Sequence, residues 1–331
     1  MNIYNKEGYV KIDEILNQGY FMNLVYGGRG TGKTYGALKY VLENDKEFIL
    51  LRRTQAQIDI IGRQEFSPFK ALEKDLGVEV TCKSVTKYTS GFFIGDKLIG
   101  IACALSTFSN LRGFSSGAEL LIFDEFIPER HERPIKEEGS AFLNVLETVN
   151  RNRELNGGEP IQVLCLANAN DIGNSIFLEL NLIKEAEKLK MSNRNYYANR
   201  ERGLLLVDLK DSEISKKKSQ TALYKLVNNS SFRSMAIENK FIDDSIAIIK
   251  SENLKNYDPL VTIADCTFYK HKGSRKYYMS EHRIGTPEIL STASADIEQF
   301  RKKYYYLYGA YLGRKILFEN KLCSVLFEKL W

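Results

Sequence analysis

Gly27-Gly28-Arg29-Gly30-Thr31-Gly32-Lys33-Thr34 lies between two segments of different periodicity. Before it, Phe21 to Tyr26 (FMNLVY) is a nearly continuous apolar run, as expected of a strand buried on both faces. After it, Thr34 to Glu43 places Ala37, Leu38, Val41 and Leu42 at helical spacing. A glycine-rich turn joining a buried strand to a helix can aim successive N–H groups at phosphate oxygens, with the positive end of the helix dipole behind them. The octet satisfies G-x-x-x-x-G-K-[ST] in full, so Gly27 to Thr34 is expected to cradle the phosphates of ATP. Within it, Lys33 should bridge the β- and γ-phosphates and the Thr34 hydroxyl should ligate Mg2+.

Outward from this loop, short apolar runs alternate with helical patterns through residue 185, which predicts an α/β domain with a mostly parallel sheet. Phe48 to Leu51 reads as a second buried strand ending in Arg52 and Arg53. Residues 78–105 carry a Gly95-Asp96 turn signal between apolar runs and predict a β-hairpin excursion. Leu120 to Phe123 is a third core strand. Ser140 to Arg153 is a helix with Phe142, Leu143, Leu146 and Val149 on one face, and Ile161 to Ala167 is a further strand. The third strand runs into Asp124-Glu125, placing two carboxylates at a carboxyl strand end, where open α/β sheets bind ligands. Asp124 is expected to hold Mg2+, and Glu125 to orient and deprotonate an attacking water.

Charge is divided unevenly. Residues 1–185 hold 21 Lys and Arg against 25 Asp and Glu, whereas residues 186–331 hold 26 against 17. A basic half suits a polyanion-binding module, or else a solvated basic face. Residues 186–230 are rich in Lys, Arg, Asn and Ser and read as a linker subdomain. Residues 231–331 read as a small α+β domain, with β-like stretches at 260–269 and 275–280 and a helical finish over 295–329. No window approaches the roughly 18 apolar residues of a membrane span, and the polar start lacks a secretory profile, so no membrane role is expected and the cytoplasm is the expected compartment. Five widely spaced cysteines without C-x-x-C suggest neither a disulfide framework nor a thiolate zinc site.

The adjacent Asp124-Glu125 pair resembles the additional-strand P-loop ATPases, in which a further strand lies between the loop-bearing and acidic strands. Strand 161–167 is the candidate, and the Asn168 that follows it is either a γ-phosphate sensor or a turn-forming residue. GGRGTGKTYG (27–36), LLIFDEFIPE (120–129) and the helix ending RNRE (151–154) together look like the DNA-packaging ATPases of phi29-like small tailed phages. Leu111-Arg112-Gly113 also resembles the wider large-terminase pattern. The resemblance implies a ring of five copies docked at the portal of a viral procapsid vertex in the host cytoplasm, driving double-stranded DNA inward with ATP. It implies a basic side chain acting in trans, which falls on Arg151, with Arg112 and Arg153 as alternatives. Arg52 and Arg53 are read as contacts to nucleotide or to a neighbouring subunit, or as an ordinary exposed pair.

The same resemblance implies an RNase-H-like C-terminal domain. Asp265 sits in a plausible strand but without acidic partners in register, so nuclease activity is not expected. Arg275, Lys276, Tyr277, Tyr278, Arg301, Lys302 and Lys303 fit contact with phosphate backbone or with a structural packaging RNA. Tyr304, Tyr305, Tyr306, Tyr308 and Tyr311 are expected in the core of the terminal helix. Competing readings are another nucleic-acid translocase or helicase, a small-molecule kinase, and a non-catalytic nucleotide switch. For the last, Asn239-Lys240-Phe241-Ile242-Asp243 departs from the spacing of N-K-x-D.

Overall fold

Every residue of the strand before the loop is buried, because the strand is central in its sheet and both of its faces are covered. Met22 lies opposite Val163 on one side and Leu204 on the other, both in parallel register. The computed structural model describes residues 1–111, 117–129, 131–210, 212–227, 233, 236–237 and 246–331. Arg112, Gly113 and the string 239–243 lie outside the described residues. The chain divides into two units, Met1–Ile242 and Asp243–Trp331.

The first unit runs α1 (Ile12–Leu16), β1 (Met22–Gly27), α2 (Lys33–Glu43), β2 (Phe48–Arg52), α3 (Gln55–Ile61), α4 (Lys70–Leu76), β3 (Thr81–Thr86), β4 (Thr89–Ile94) and β5 (Lys97–Ala104). It continues with β6 (Leu120–Asp124), α5 (Glu138–Asn150), β7 (Gln162–Asn168), α6 (Ser175–Glu179), α7 (Ile183–Met191), β8 (Tyr196–Asn199), β9 (Leu204–Leu209), α8 (Glu213–Lys218) and α9 (Ala222–Leu226). The nine strands form one sheet in the order β3-β4-β5-β2-β6-β7-β1-β9-β8. From β5 to β9 all neighbours are parallel, and antiparallel β3-β4 and β8 extend the two edges. Strand β7 therefore separates loop-bearing β1 from acidic β6.

Helix α2 lays Ala37, Leu38 and Val41 on the sheet, in a core with Val25, Leu50, Ile122, Leu164 and Val207. Phe48 stacks on Phe92 at 5.8 Å and tilts against Phe69 at 6.0 Å. Its ring lies where a Cβ on Gly100 would come within 2.3 Å, so no larger residue fits there without displacing it.

Expectations for the first unit differ from this structure at several points. Residues 186–230 do not stand apart as a linker subdomain. LLLVD (204–208) forms β9, which completes the parallel core beside β1, because an apolar run buried at every position needs covering on both faces. Helix α5 ends at Asn150 rather than Arg153, because the Asn150 Oδ1 accepts the Ile161 N–H (2.9 Å) and Arg151 turns away at φ 42°. On the same helix Leu143 is 38% exposed, and Val145 is buried with Phe142, Leu146 and Val149.

The second unit runs β10 (Ile248–Ile249), β11 (Tyr257–Ile263), β12 (Cys266–His271), β13 (Tyr277–Ser280), β14 (Glu288–Ile289), α10 (Ser294–Lys303), α11 (Tyr305–Leu312), β15 (Ile316–Phe318) and α12 (Lys321–Leu330). Its sheet order is β10-β15-β13-β12-β11-β14. β11 to β13 form an antiparallel meander, while β14 and β15 lie parallel to β11 and β13. The 260–269 stretch is a hairpin rather than one strand, and Asp265 is in its turn, where Ala264 and Asp265 both take positive φ. The helical finish is interrupted by β15, whose buried Ile316 and Phe318 join the core of Phe268, Phe300, Leu307 and Phe327. Only Tyr304 and Tyr311 of the five tyrosines are buried; Tyr305, Tyr306 and Tyr308 are exposed. The five cysteines are free and buried, and among the described residues no helix is long and apolar enough to cross a membrane.

Candidate active site

The loop leaves β1 at Gly27 and enters α2 through Gly32, which caps the helix at φ 85°. Only glycine takes that left-handed conformation without strain, and Gly30 adopts it as well, at φ 72°. Lys33, at the first position of α2, folds back over the loop. Its Nζ donates to the Gly28 carbonyl at 2.7 Å, to Gly27 at 3.3 Å and to Asn168 Oδ1 at 3.3 Å. Burial pulls its pKa down to about 8; Asp124 opposes the shift, and the Lys218 and Arg29 charges add to it.

Asn168 reaches the loop because β7 runs in register with β1, placing Gly27 opposite Asn168. One strand further, Asp124 ends β6 and accepts the Thr34 hydroxyl at 2.9 Å on Oδ2. The fold therefore brings Lys33 and Thr34, at the start of α2, together with Asp124 at the end of β6 and Asn168 at the end of β7. Glu125 follows Asp124 at φ 60°, outside the sheet and half-exposed, while its N–H donates to Asp124 Oδ1 at 3.1 Å. Beside it, Glu125, Ile127, Glu129, His131, Glu132, Asn168 and Asn170 line a cavity of about 200 Å³.

For Arg52 the sequence leaves open a nucleotide or subunit contact and an exposed side chain. Arg52 is neither exposed nor turned outward: Nη2 meets Asp124 Oδ2 at 2.7 Å and Nη1 meets Glu125 Oε2 at 2.5 Å. One guanidinium thus offsets two neighbouring carboxylates, and Gln57 Nε2 adds a contact to Glu125 at 3.4 Å. The sequence signal for Arg52 was its position at a carboxyl strand end; no signal marks Gln57. Arg53 points the opposite way into the interior, fully buried, with Nε on Glu138 Oε1 at 2.6 Å and Nη1 on Glu132 Oε2 at 3.1 Å. Arg29, within the loop, pairs with Glu129.

The candidates for action in trans separate by environment. Arg153 is tied within its own chain, donating to the Ala118 carbonyl at 2.7 Å. Arg151 is exposed, with backbone angles of φ 42° and ψ −134° at the end of α5. Arg112 lies outside the described residues. In the second unit Arg275 and Lys276 are exposed, whereas Tyr278 is buried. Lys302 and Lys303 pair with Glu298 and Glu288, and Arg301 Nε donates to the Leu330 carbonyl at 2.5 Å.

The family model of the podovirus DNA encapsidation protein (Gp16) matches residues 4–269. The chain belongs to the podovirus DNA encapsidation protein (Gp16) family. Among its relatives, a DNA packaging protein of Bacillus phage B103 is 26% identical over 328 residues, 91% of this chain and 93% of its own. A DNA packaging protein of Bacillus phage phi29 is 28% identical over 257 residues, 76% and 69% of the two chains. In the solved bacteriophage Phi-29 viral genome packaging motor assembly, one chain shares this fold with a TM-score of 0.67, at 20% identity over 98% of this chain and 100% of that one.

Proposed function

We propose that the chain is the ATP-hydrolysing subunit of a motor that drives double-stranded DNA into a viral procapsid. The observation that carries the catalytic reading is the Thr34 hydroxyl on Asp124 at 2.9 Å, with Glu125 next in sequence and Lys33 on the loop behind. Two hard oxygen donors side by side at the end of a phosphate loop are the protein's share of a Mg2+ site completed by phosphates. The residues therefore fit Mg-ATP, and the bound cation would neutralise phosphate charge.

The chain's own groups then divide the work. Loop N–H groups and Lys33 bind the phosphates, Asn168 reads their far end, Arg52 fixes the two carboxylates, and Glu125 takes the proton of water. We assign the trans role to Arg151, whose exposure and strained backbone suit a side chain presented to a neighbouring copy. Arg151→Ala is expected to leave nucleotide affinity of the isolated chain within about twofold while lowering ring turnover about 10³-fold, the scale of an arginine finger. Turnover by assembled motors reads this directly; an undiminished rate returns the role to Arg112.

The copy number of five, the portal contact and a structural packaging RNA are carried over from the family resemblance. The RNase-H-like reading of the second unit is supported by its antiparallel meander with a parallel strand on the β11 edge. Exposed Arg275 and Lys276 remain the proposed contacts to nucleic acid there, and the paired 301–303 cluster is the weaker set.

The test is ATP hydrolysis with intact duplex across a salt series. Stimulation is expected to be indifferent to sequence and to fall steeply with salt, because phosphate contacts release counterions. Strand displacement on forked DNA would instead indicate a helicase, and phosphate transfer to a small molecule a kinase.

A further inference from the structure

Three consecutive lysines end α8, and they differ in surroundings. Lys216 pairs with Glu213 at 2.6 Å, Lys217 is exposed, and Lys218 is half-buried against the phosphate loop. Lys218 Nζ donates to the Arg29 carbonyl at 2.8 Å. Its ammonium rests directly on Gly30, where a Cβ would come within 2.1 Å of it. The next turn of the same backbone is held from this segment too, since the Arg29 N–H donates to the Ala236 carbonyl at 3.1 Å. Helix α8 is itself anchored at its base. Ser212, buried, donates to the Gly8 carbonyl at 2.6 Å, and Gly8 lies too close to Ile214 to carry a side chain.

Arg29, Lys33 and Lys218 thus converge on one glycine-rich loop. Among the described residues, Lys218 has no acidic partner, and its hydrogen-bond acceptor is a neutral carbonyl. Burial, and then the Arg29 charge, lower its pKa, and its charge in turn disfavours protonation of Lys33. A half-buried cation beside two others is destabilised unless an anion lies near. An anionic phosphate oxygen is a stronger acceptor than a carbonyl, and a four-carbon stem can swing to reach it.

We propose that Lys218 is a cis-acting binding residue for the phosphate chain of the nucleotide, exchanging the Arg29 carbonyl for phosphate oxygens when the site is loaded. The exchange couples the loading of the loop to helix α8. This rests on the reading of residues 27–34 as the nucleotide site and extends it to an element outside the motif.

The test uses the full chain, with calorimetric titration of Mg-tripolyphosphate and of a non-hydrolysable ATP analogue at matched salt. Lys218→Met keeps the apolar stem and removes the charge; it is expected to weaken both ligands about tenfold, the loss of one charge-assisted hydrogen bond. Lys218→Arg is expected to recover most of that loss. Without ligand, the melting temperature of the Met variant should equal or exceed the native value, since a repelled cation has been removed. Affinities within twofold of native for the Met variant, or a loss the Arg variant does not recover, overturn the proposal. Lys33→Ala is the control for the underlying site. If it binds tripolyphosphate as the native chain does, the phosphate-loop reading itself fails, whatever Lys218 does.

Discussion

Glu125→Gln is expected to lower steady-state ATP turnover by about 10²- to 10⁴-fold, the range in which a positioned general base contributes. Nucleotide affinity should stay within about twofold, because Glu125 is not among the residues proposed to hold the phosphates. The glutamine keeps the size of the side chain and its contact to Gln57, and loses only the charge and the basic oxygen. The same geometry explains why its neighbour cannot substitute. Asp124 is buried, with its Oδ2 engaged by Thr34 and Arg52 and its Oδ1 by the Glu125 N–H, whereas Glu125 is half-exposed beside the cavity shared with Asn168. Measurement of kcat and KM for the two chains decides the matter. Turnover within tenfold of native would remove Glu125 from the chemistry.

Arg53→Ala is expected to destabilise the first unit by about 3–5 kcal/mol, the cost of leaving a buried carboxylate without its partner. Arg53 is fully buried and Glu138 nearly so, joined at 2.6 Å and 3.3 Å. Glu132 is more exposed and can turn to water, so Glu138 carries most of the penalty. The paired change Arg53→Met with Glu138→Leu should restore much of the loss, since both charges leave together. Denaturant unfolding of the three chains tests this; a single variant as stable as native would mean that water reaches Glu138.

Arg52 and Arg53 also mark where the sequence stops being informative. The loop and the acidic strand were legible because their chemistry is written in consecutive residues: a glycine string, a lysine and a hydroxyl at one strand end, and two acids at another. The position of β7 between β1 and β6 followed from the family pattern, and Asn168 came with it. Adjacent arginines at a strand end carry no local mark of which points inward. Alternation along a strand puts them on opposite faces, but the partners that settle their roles, Glu125 and Glu138, lie 73 and 85 residues away. The 186–230 stretch hides its core strand for a related reason. Its lysines and asparagines suggested a solvated linker, while the short apolar island LLLVD had its covering elements elsewhere in the chain.

The pairing of Gly27 with Asn168 also sets limits on how such a gene can change. Side chains alternate faces along a strand, so losing one residue anywhere in 162–167 would turn Asn168 away from Lys33 without touching either of them. Gly157, at φ 77° with open space where a side chain would go, sits in an exposed turn, where a change of length disturbs less than one inside the strand. Length variation across lineages should therefore collect in the turns before β7 and spare the strand itself, however far the surrounding letters drift.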